Sequence, residues 1–306
     1  MKAYTKKSHV RESANDKIFG FVISLILILF AVITAIPLIS EAAVSLSSKT
    51  ASQMNQINLL PVGFTFDSWK YLFMKGKIWT PFLISVSSTV LGAAILISVF
   101  LLLAAALLNV LMAYPLSKTE FRPSKYIMLF VVFTMVFAAP KVPYFLTLRS
   151  YGLYNNYWVL ILPHIMTAYN LIIVRTFFKQ FPRELEEAAM IDGCGKFRIL
   201  LQIVLPASKA VLATVGLFYG VTMWNQYEHP MMFIQNMNLF PLQMKIRTIV
   251  DGGGELQAVT MAQTANYTSA TLSAAAVVFA ILPVLVAYPW IQKYFAKGAM
   301  LGSVKG

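Results

Sequence analysis

The sequence is short of charge, of acid and of cysteine. Only 12% of its 306 residues are charged, against about 25% in a typical soluble domain, and Asp and Glu number 12 beside 25 Lys and Arg. The single cysteine, Cys194, excludes an internal disulfide framework and any zinc site built from paired cysteines. The three histidines, His9, His164 and His229, are too scattered along the chain to suggest a metal site, and no Ser, His and Asp arrangement signals nucleophilic catalysis. What is plentiful is apolar surface: 58% of residues are hydrophobic, more than one globular core of this length can hide from water. Lipid is therefore the solvent for much of the chain. The net charge of +13 then fits a membrane surface better than nucleic acid, which is not expected as a partner.

Six apolar runs are long enough to cross a hydrocarbon core of about 30 Å as helices. They cover about 18–40, 82–110, 126–146, 157–174, 207–227 and 272–291, so the expected fold is an all-α integral membrane protein with a transmembrane region at 18–295. The first run follows a basic stretch with Lys2, Lys6, Lys7, Arg11 and Lys17, but exceeds the 7–15 apolar residues of a cleaved leader and reads as a membrane span. Lys and Arg between the runs set the orientation, because cationic loops stay on the cytoplasmic side. Seventeen lie in the N-terminal stretch, around Lys118, Arg122 and Lys125, between Arg175 and Lys209, and in the tail, against eight in the other connections. The termini at 1–17 and 296–306 and the segment 175–209 are thus expected in the cytoplasm. Stretches 41–80 and 228–271 are expected outside, the latter with a flexible tip at Gly252, Gly253 and Gly254. No run contains Asp or Glu, which argues against a carrier coupled to protons or sodium through membrane-embedded carboxylates. His164, inside the fourth run, reads as a polar group satisfied by a neighbouring helix.

Between the fourth and fifth runs, at 182–206, lies Arg183-Glu-Leu-Glu-Glu-Ala-Ala-Met-Ile-Asp-Gly193, followed nine residues on by Ile203-Val-Leu-Pro206. The pattern predicts two short helices and a turn. Pro182 suits a first helical position, Glu184, Glu186 and Glu187 complement the positive end of the first helix, and Gly193 supplies a left-handed stop. The second helix carries an apolar stripe at Phe197, Leu200, Leu201 and Val204, with Lys196, Arg198 and Gln202 on the other side and Pro206 at its end. Acid in the first helix is the wrong sign for lying on an anionic bilayer, and the small Ala188 and Ala189 permit close approach by another protein. A docking helix fits better. Gly193-Cys-Gly-Lys196 is no phosphate loop: Phe197 replaces the magnesium-binding hydroxyl and Met190 stands where the first glycine belongs.

The string Glu187-Ala188-Ala189-x3-Gly193-x9-Ile203-x-Leu205-Pro206 resembles the EAA signature of ABC-importer permeases at every fixed position. With seven fixed residues each near 7% abundance, a chance match is ~10⁻⁸ per window. The resemblance implies the type I importer permease fold. It also implies that Glu187, Ala188, Ala189, Asp192 and Gly193 form a coupling helix and its turn on a cytoplasmic ATPase, with Ile203, Leu205 and Pro206 leading into the fifth span. The tail from Gln292 to Gly306 and Trp224-Asn-Gln-Tyr227 resemble the maltose-type sugar permeases. Leu60-Pro-Val-Gly-Phe-Thr-Phe-Asp67, Tyr169-Asn-Leu-Ile-Ile173, Arg175-Thr-Phe-Phe178 and Phe240-Pro-Leu-Gln243 are similar to the branch importing complex oligosaccharides, pectin fragments included. In such systems two different homologous permeases pair in the bacterial cytoplasmic membrane. Two ATPase subunits bind below with their ATP and Mg²⁺, and an extracellular sugar-binding protein delivers the cargo. The resemblance implies no cofactor in this chain and no chemistry on the substrate.

Trp224, Asn225 and Tyr227 close the fifth run where aromatic faces and an amide suit a sugar, although amphipathic rings favour that interface without a ligand. Tyr169 and Asn170, deeper in the fourth run, are further pathway candidates, with helix-to-helix hydrogen bonding the competing role for Asn170 and for Asn109. A permease for peptides or another polar solute would share the loop. An ion-coupled carrier acting alone is the competing class, and a membrane-bound enzyme would need a catalytic constellation that is not visible.

Overall fold

The computed structural model describes residues 14–97, 106–251 and 266–302, and all regular structure among them is helical. The first run becomes α1 (Ala14–Ser45), a helix because its amides, in hydrocarbon, can pair only within the segment. Ser24 and Thr34 turn their hydroxyls back onto the carbonyls of Gly20 and Phe30, so neither presents an unpaired polar group to lipid. The short α2 (Lys49–Gln53) and α3 (Asp67–Met74) follow, and then α4 (Trp79–Ile97) and α5 (Ala106–Ser117) carry the second run. Its middle, and the glycine tip expected at 252–254, lie outside the described residues.

The third and fourth runs, read above as single spans, are each broken. α6 (Ser124–Val136) ends at Phe137, and α7 (Lys141–Ser150) leaves it at 116°. Pro140 is the cause: it has no amide to donate and drives the residue before it out of helical geometry. Lys141, which falls inside that run, stands at the break. In the fourth run two 3₁₀ turns, Tyr157–Leu160 and Leu162–His164, precede α8 (Ala168–Lys179) with a bend of 42°. Pro163 sits in the second turn, and Thr167 caps α8 by accepting from the Asn170 amide at 3.4 Å.

After α8 come α9 (Arg183–Ile191), α10 (Lys196–Ile199), a π turn at Leu200–Val204 and α11 (Leu205–Ala207). The chain then bends by 79° into α12 (Lys209–Trp224), followed by α13 (Glu228–Phe233), α14 (Leu242–Val250) and the long α15 (Ser269–Gly302). Among the described residues, Lys17–Ser45 and Ser269–Pro289 are each long and apolar enough to cross a membrane alone, and counting each of the three bent pairs as one span raises that number to five.

α12 is the central element, packed along α4, α8 and α15, while α1 packs chiefly on α15. Three buried clusters fill the bundle. One joins α5, α8 and the 182–206 segment around Phe178, Leu200, Val204 and Tyr219. A second joins α3, α4, α14 and α15 around Leu72, Ile78, Leu242 and Leu272. The third, with Val159, Leu160, Ile161 and Phe233, lies under the broken fourth run.

Beside that third cluster two of the histidines, far apart in the sequence, meet. The His164 and His229 rings are 4.8 Å apart, and His229 Nε2 lies 3.0 Å from the Tyr144 hydroxyl; His9 falls outside the described residues. Burial, and then the neighbouring His164 ring, push the His229 imidazole down from 6.5 to about 4. A depressed value means that the unfolded chain binds the extra proton first. The stability contributed by neutral His229 is therefore complete above pH 6.5 and is lost as pH falls through the window from 6.5 to about 4. In mild detergent the unfolding temperature should drop across that window, and His229→Gln should flatten the drop. An equally steep profile in the variant removes His229 as its cause.

Candidate functional site

The 182–206 segment forms two helices around a tight turn, and its chemistry follows from which side chains each helix turns outward. Pro182 does not take the first helical position expected of it. It precedes α9 as the cap residue, with φ −58° and ψ 123°. α9 closes at Asp192, and Gly193 follows with φ +81°. There the Cys194 amide donates to the Ala189 carbonyl at 2.9 Å and the Gly193 amide to Met190 at 3.1 Å, the paired bonds of a left-handed helix stop.

The two faces of α9 differ in kind. Glu186 and Ala189 point inward and are buried. Leu185, Glu187, Ala188, Met190 and Asp192 point outward, and Ile191 is 87% exposed. A row of exposed Leu, Met and Ile beside Glu187, on a helix otherwise tied to the bundle, is an unsatisfied surface of the sort that marks a protein contact.

Of the second helix's expected stripe, Leu200 and Val204 are buried and Leu201 half-buried, but Phe197 is 58% exposed and Ile199 takes its place in the core. The reason is the π turn, which shifts the register of the buried face by adding a residue to the turn. Pro206 explains that turn, since it offers no amide to the carbonyl four residues back and its ring crowds that carbonyl. Leu205 is buried, Ile203 half-buried and Pro206 exposed, with Arg198 Nε donating to Gln202 Oε1 at 2.9 Å on the outer side.

Inward, Glu186 is only 8% exposed, and its carboxylate is paired with the Lys118 ammonium. Tyr114 donates its hydroxyl to Glu186 Oε2 at 3.3 Å, and Lys118 Nζ stands 4.6 Å from the centre of the Tyr114 ring. Burial, reinforced by the Glu186 charge, pushes the Tyr114 hydroxyl up to about 12. Arg183 Nη2 adds a bond to Thr119 Oγ1 at 3.0 Å. Between this network and α10 lies a groove of ≈ 620 Å³, floored by Leu111, Tyr114 and Leu200 and rimmed by Lys118, Glu187 and Lys196. Sequence reasoning grouped Glu184, Glu186 and Glu187 as one acidic turn and missed the separate task of Glu186. The available signal was that Glu186 and Ala189, three residues apart, share a face.

The pathway candidates fall in different surroundings. Trp224 is 8% exposed and edge-on to Phe82 at 6.2 Å, with its indole Nε1 buried and without a partner among the described residues. Asn225 is exposed, and Tyr227 is half-buried with the Arg247 guanidinium 5.1 Å from its ring centre. Tyr169 is exposed beside Phe218 at 6.2 Å, and Asn170 is buried with an unpartnered side-chain oxygen. Asn109 donates to the Ile165 carbonyl at 3.0 Å, a bond between helical segments.

Comparison with known proteins gives concordant results. The profile of the family described as "Binding-protein-dependent transport system inner membrane component" matches residues 123–300. The polygalacturonan/rhamnogalacturonan transport system permease protein YtcP of Bacillus subtilis is 39% identical over 95% of this chain and 100% of its own. The arabinooligosaccharides transport system permease protein AraQ of Halalkalibacterium halodurans is 27% identical over 90% of this chain and 93% of its own. Among solved structures, a chain of a bacterial ABC transporter involved in the import of the acidic polysaccharide alginate superposes with a TM-score of 0.82 and 31% identity, covering 93% of this chain and 99% of that one.

The Gly193 geometry sets a test. A Cβ at that position would meet nothing within 4 Å, so the cost of Gly193→Val is backbone strain alone, of order 1–3 kcal/mol. Gly193→Val should misplace α9, raising the rate at which a maleimide labels the adjacent Cys194, whereas Gly193→Asn, which tolerates positive φ, should label at the parent rate. Equal rates in all three proteins would mean that the turn does not depend on glycine.

Proposed function

This chain belongs to the family of binding-protein-dependent transport system inner membrane components, and from that premise we propose that it is one permease of an ATP-driven importer of oligosaccharides. In this reading it crosses the cytoplasmic membrane of a bacterium six times with both termini inside, and it forms half of the translocation path beside a second, homologous permease. An ATPase dimer docks on residues 182–206, and an extracellular binding protein supplies the sugar. The chain catalyses no reaction; ATP and Mg²⁺ belong to the ATPase.

The observation that carries the docking role is the two-sided α9: signature residues Glu187 and Ala188 face outward with Leu185, Met190 and Ile191, while Glu186 and Ala189 fasten the helix to the bundle. Such a helix is fixed at its back and unsatisfied at its front. Carbohydrate as cargo rests on the relatives, which are named for polygalacturonan, rhamnogalacturonan, arabinooligosaccharides and alginate. Trp224, Asn225, Tyr227, Tyr169 and Asn170 are the proposed lining of the path.

Energetically, transport requires that ATP favour one of two arrangements of the assembly, because a ligand of equal affinity for both shifts neither. The docking helix is where that bias enters this chain. The apolar runs contain no Asp or Glu, which argues against coupling an ion through a carboxylate within them.

Gentle purification of the tagged chain from its native membrane should bring down a second permease and a chain with a phosphate-binding loop, with measurable ATP hydrolysis. Recovery of the chain alone and inactive in mild detergent would overturn the importer reading in favour of a self-sufficient carrier.

A further inference from the structure

We propose that Glu186, Lys118 and Tyr114 form a strut that carries displacement of α9 directly into α5, in parallel with the chain connection from α9 to α12. The proposal rests on the docking role assigned to α9 above. Two routes lead from α9 into the bundle. The route along the chain passes the Gly193 turn, the π turn at Leu200–Val204 and the 79° bend before α12. Each is a place where a helix is interrupted and a push is absorbed as rotation.

The route through space is stiffer. Glu186 points away from the docking face and holds both the Lys118 ammonium and the Tyr114 hydroxyl. Tyr114 lies in α5, and Lys118 directly follows its last residue. The segment beyond α5 is itself pinned, because the Leu116 carbonyl accepts from Arg175 Nε of α8 at 2.8 Å and from Ser124 Oγ of α6 at 2.6 Å. Arg183, the first residue of α9, ties to Thr119 in the same segment. A movement of α9 must therefore carry residues 114–124 with it or separate an ion pair that is largely withdrawn from water, and the second course leaves a desolvated carboxylate behind. α5 packs along α8, so the push reaches the buried cluster around Phe178. Glu187, one residue on, faces the other way, so contact with the ATPase and transmission fall to adjacent carboxylates.

Glu186 and Lys118 are thus positioning residues, and distances test them. In the intact complex with its ATPase, on a Cys194→Ser background, nitroxides at the exposed Glu120 and Asn238 report the end of α5 against the far side of the bundle. Nitroxides at Glu120 and Glu184 report α5 against α9. ATP with vanadate should shift the first distance and leave the second fixed. Lys118→Met and Glu186→Gln should cut the first shift by at least half and make the second distance change, while Lys118→Arg and the exchange Lys118→Glu with Glu186→Lys should restore both.

A full shift of the first distance in Lys118→Met overturns the strut, as does a parent complex that binds ATPase and nucleotide without any shift at Glu120. Should Lys118→Met and Glu186→Gln fail to assemble, Tyr114→Phe removes only one bond, and an unchanged first distance shift with an unbroadened second distance there also overturns it. A parent that retains no ATPase at all counts against the importer reading instead.

Discussion

An amide left unpaired in hydrocarbon costs several kcal/mol, and this one constraint governs where the chain may bend. α1 and α15 obey it simply, as long helices that satisfy their own backbones. The breaks at Ile161–Thr167 and at Ser208 obey it differently, by finding partners nearby. Thr167 caps α8, and its own amide donates to the Tyr219 hydroxyl at 2.9 Å. Ser208 returns its hydroxyl to Val204 at 2.6 Å. The cluster of Val159, Leu160 and Ile161 with Phe233 shields the 3₁₀ turns. The interruptions at Thr167 and Ser208 are thus backed by protein groups, and these are places where the bundle departs from straight rods.

The same constraint shapes the loop end. Residues 182–206 carry charge, but they remain joined to apolar helices that carry little. Glu186 resolves the junction by pairing with Lys118 instead of seeking water, and its neighbour Glu187 is left free to face a partner. Two adjacent carboxylates with opposite surroundings give the segment an anchored side and a receptive side.

Much of this was legible in the sequence, for local reasons. Apolar length located the runs, and fixed spacing located α9, its glycine stop and the helix after it. What escaped has identifiable causes. Pro140 and Pro163 were visible, but hydropathy averages over them and reports a run as continuous. Phe197 and Ile199 exchanged places because a π turn adds a residue that a strict 3.6 period omits. The Glu186–Lys118 pair joins residues 68 apart, and the contact of His164 with His229 joins different segments, so neither leaves a periodic trace. The pathway candidates were chosen for residue type, and residue type alone does not distinguish the buried Trp224 from the exposed Asn225.

α1 packs on α15, the first described helix on the last. During synthesis α1 enters the bilayer long before α15 exists, and for that interval it lacks its main helical neighbour. A helix in that situation must be a stable tenant of the membrane by its own composition, which accounts for an apolar window with no side chain that waits for a partner. The seat of α1 is therefore complete only once α15 is in place. A ribosome that stalls before α15 leaves a well-inserted chain that lacks the seat for its first helix.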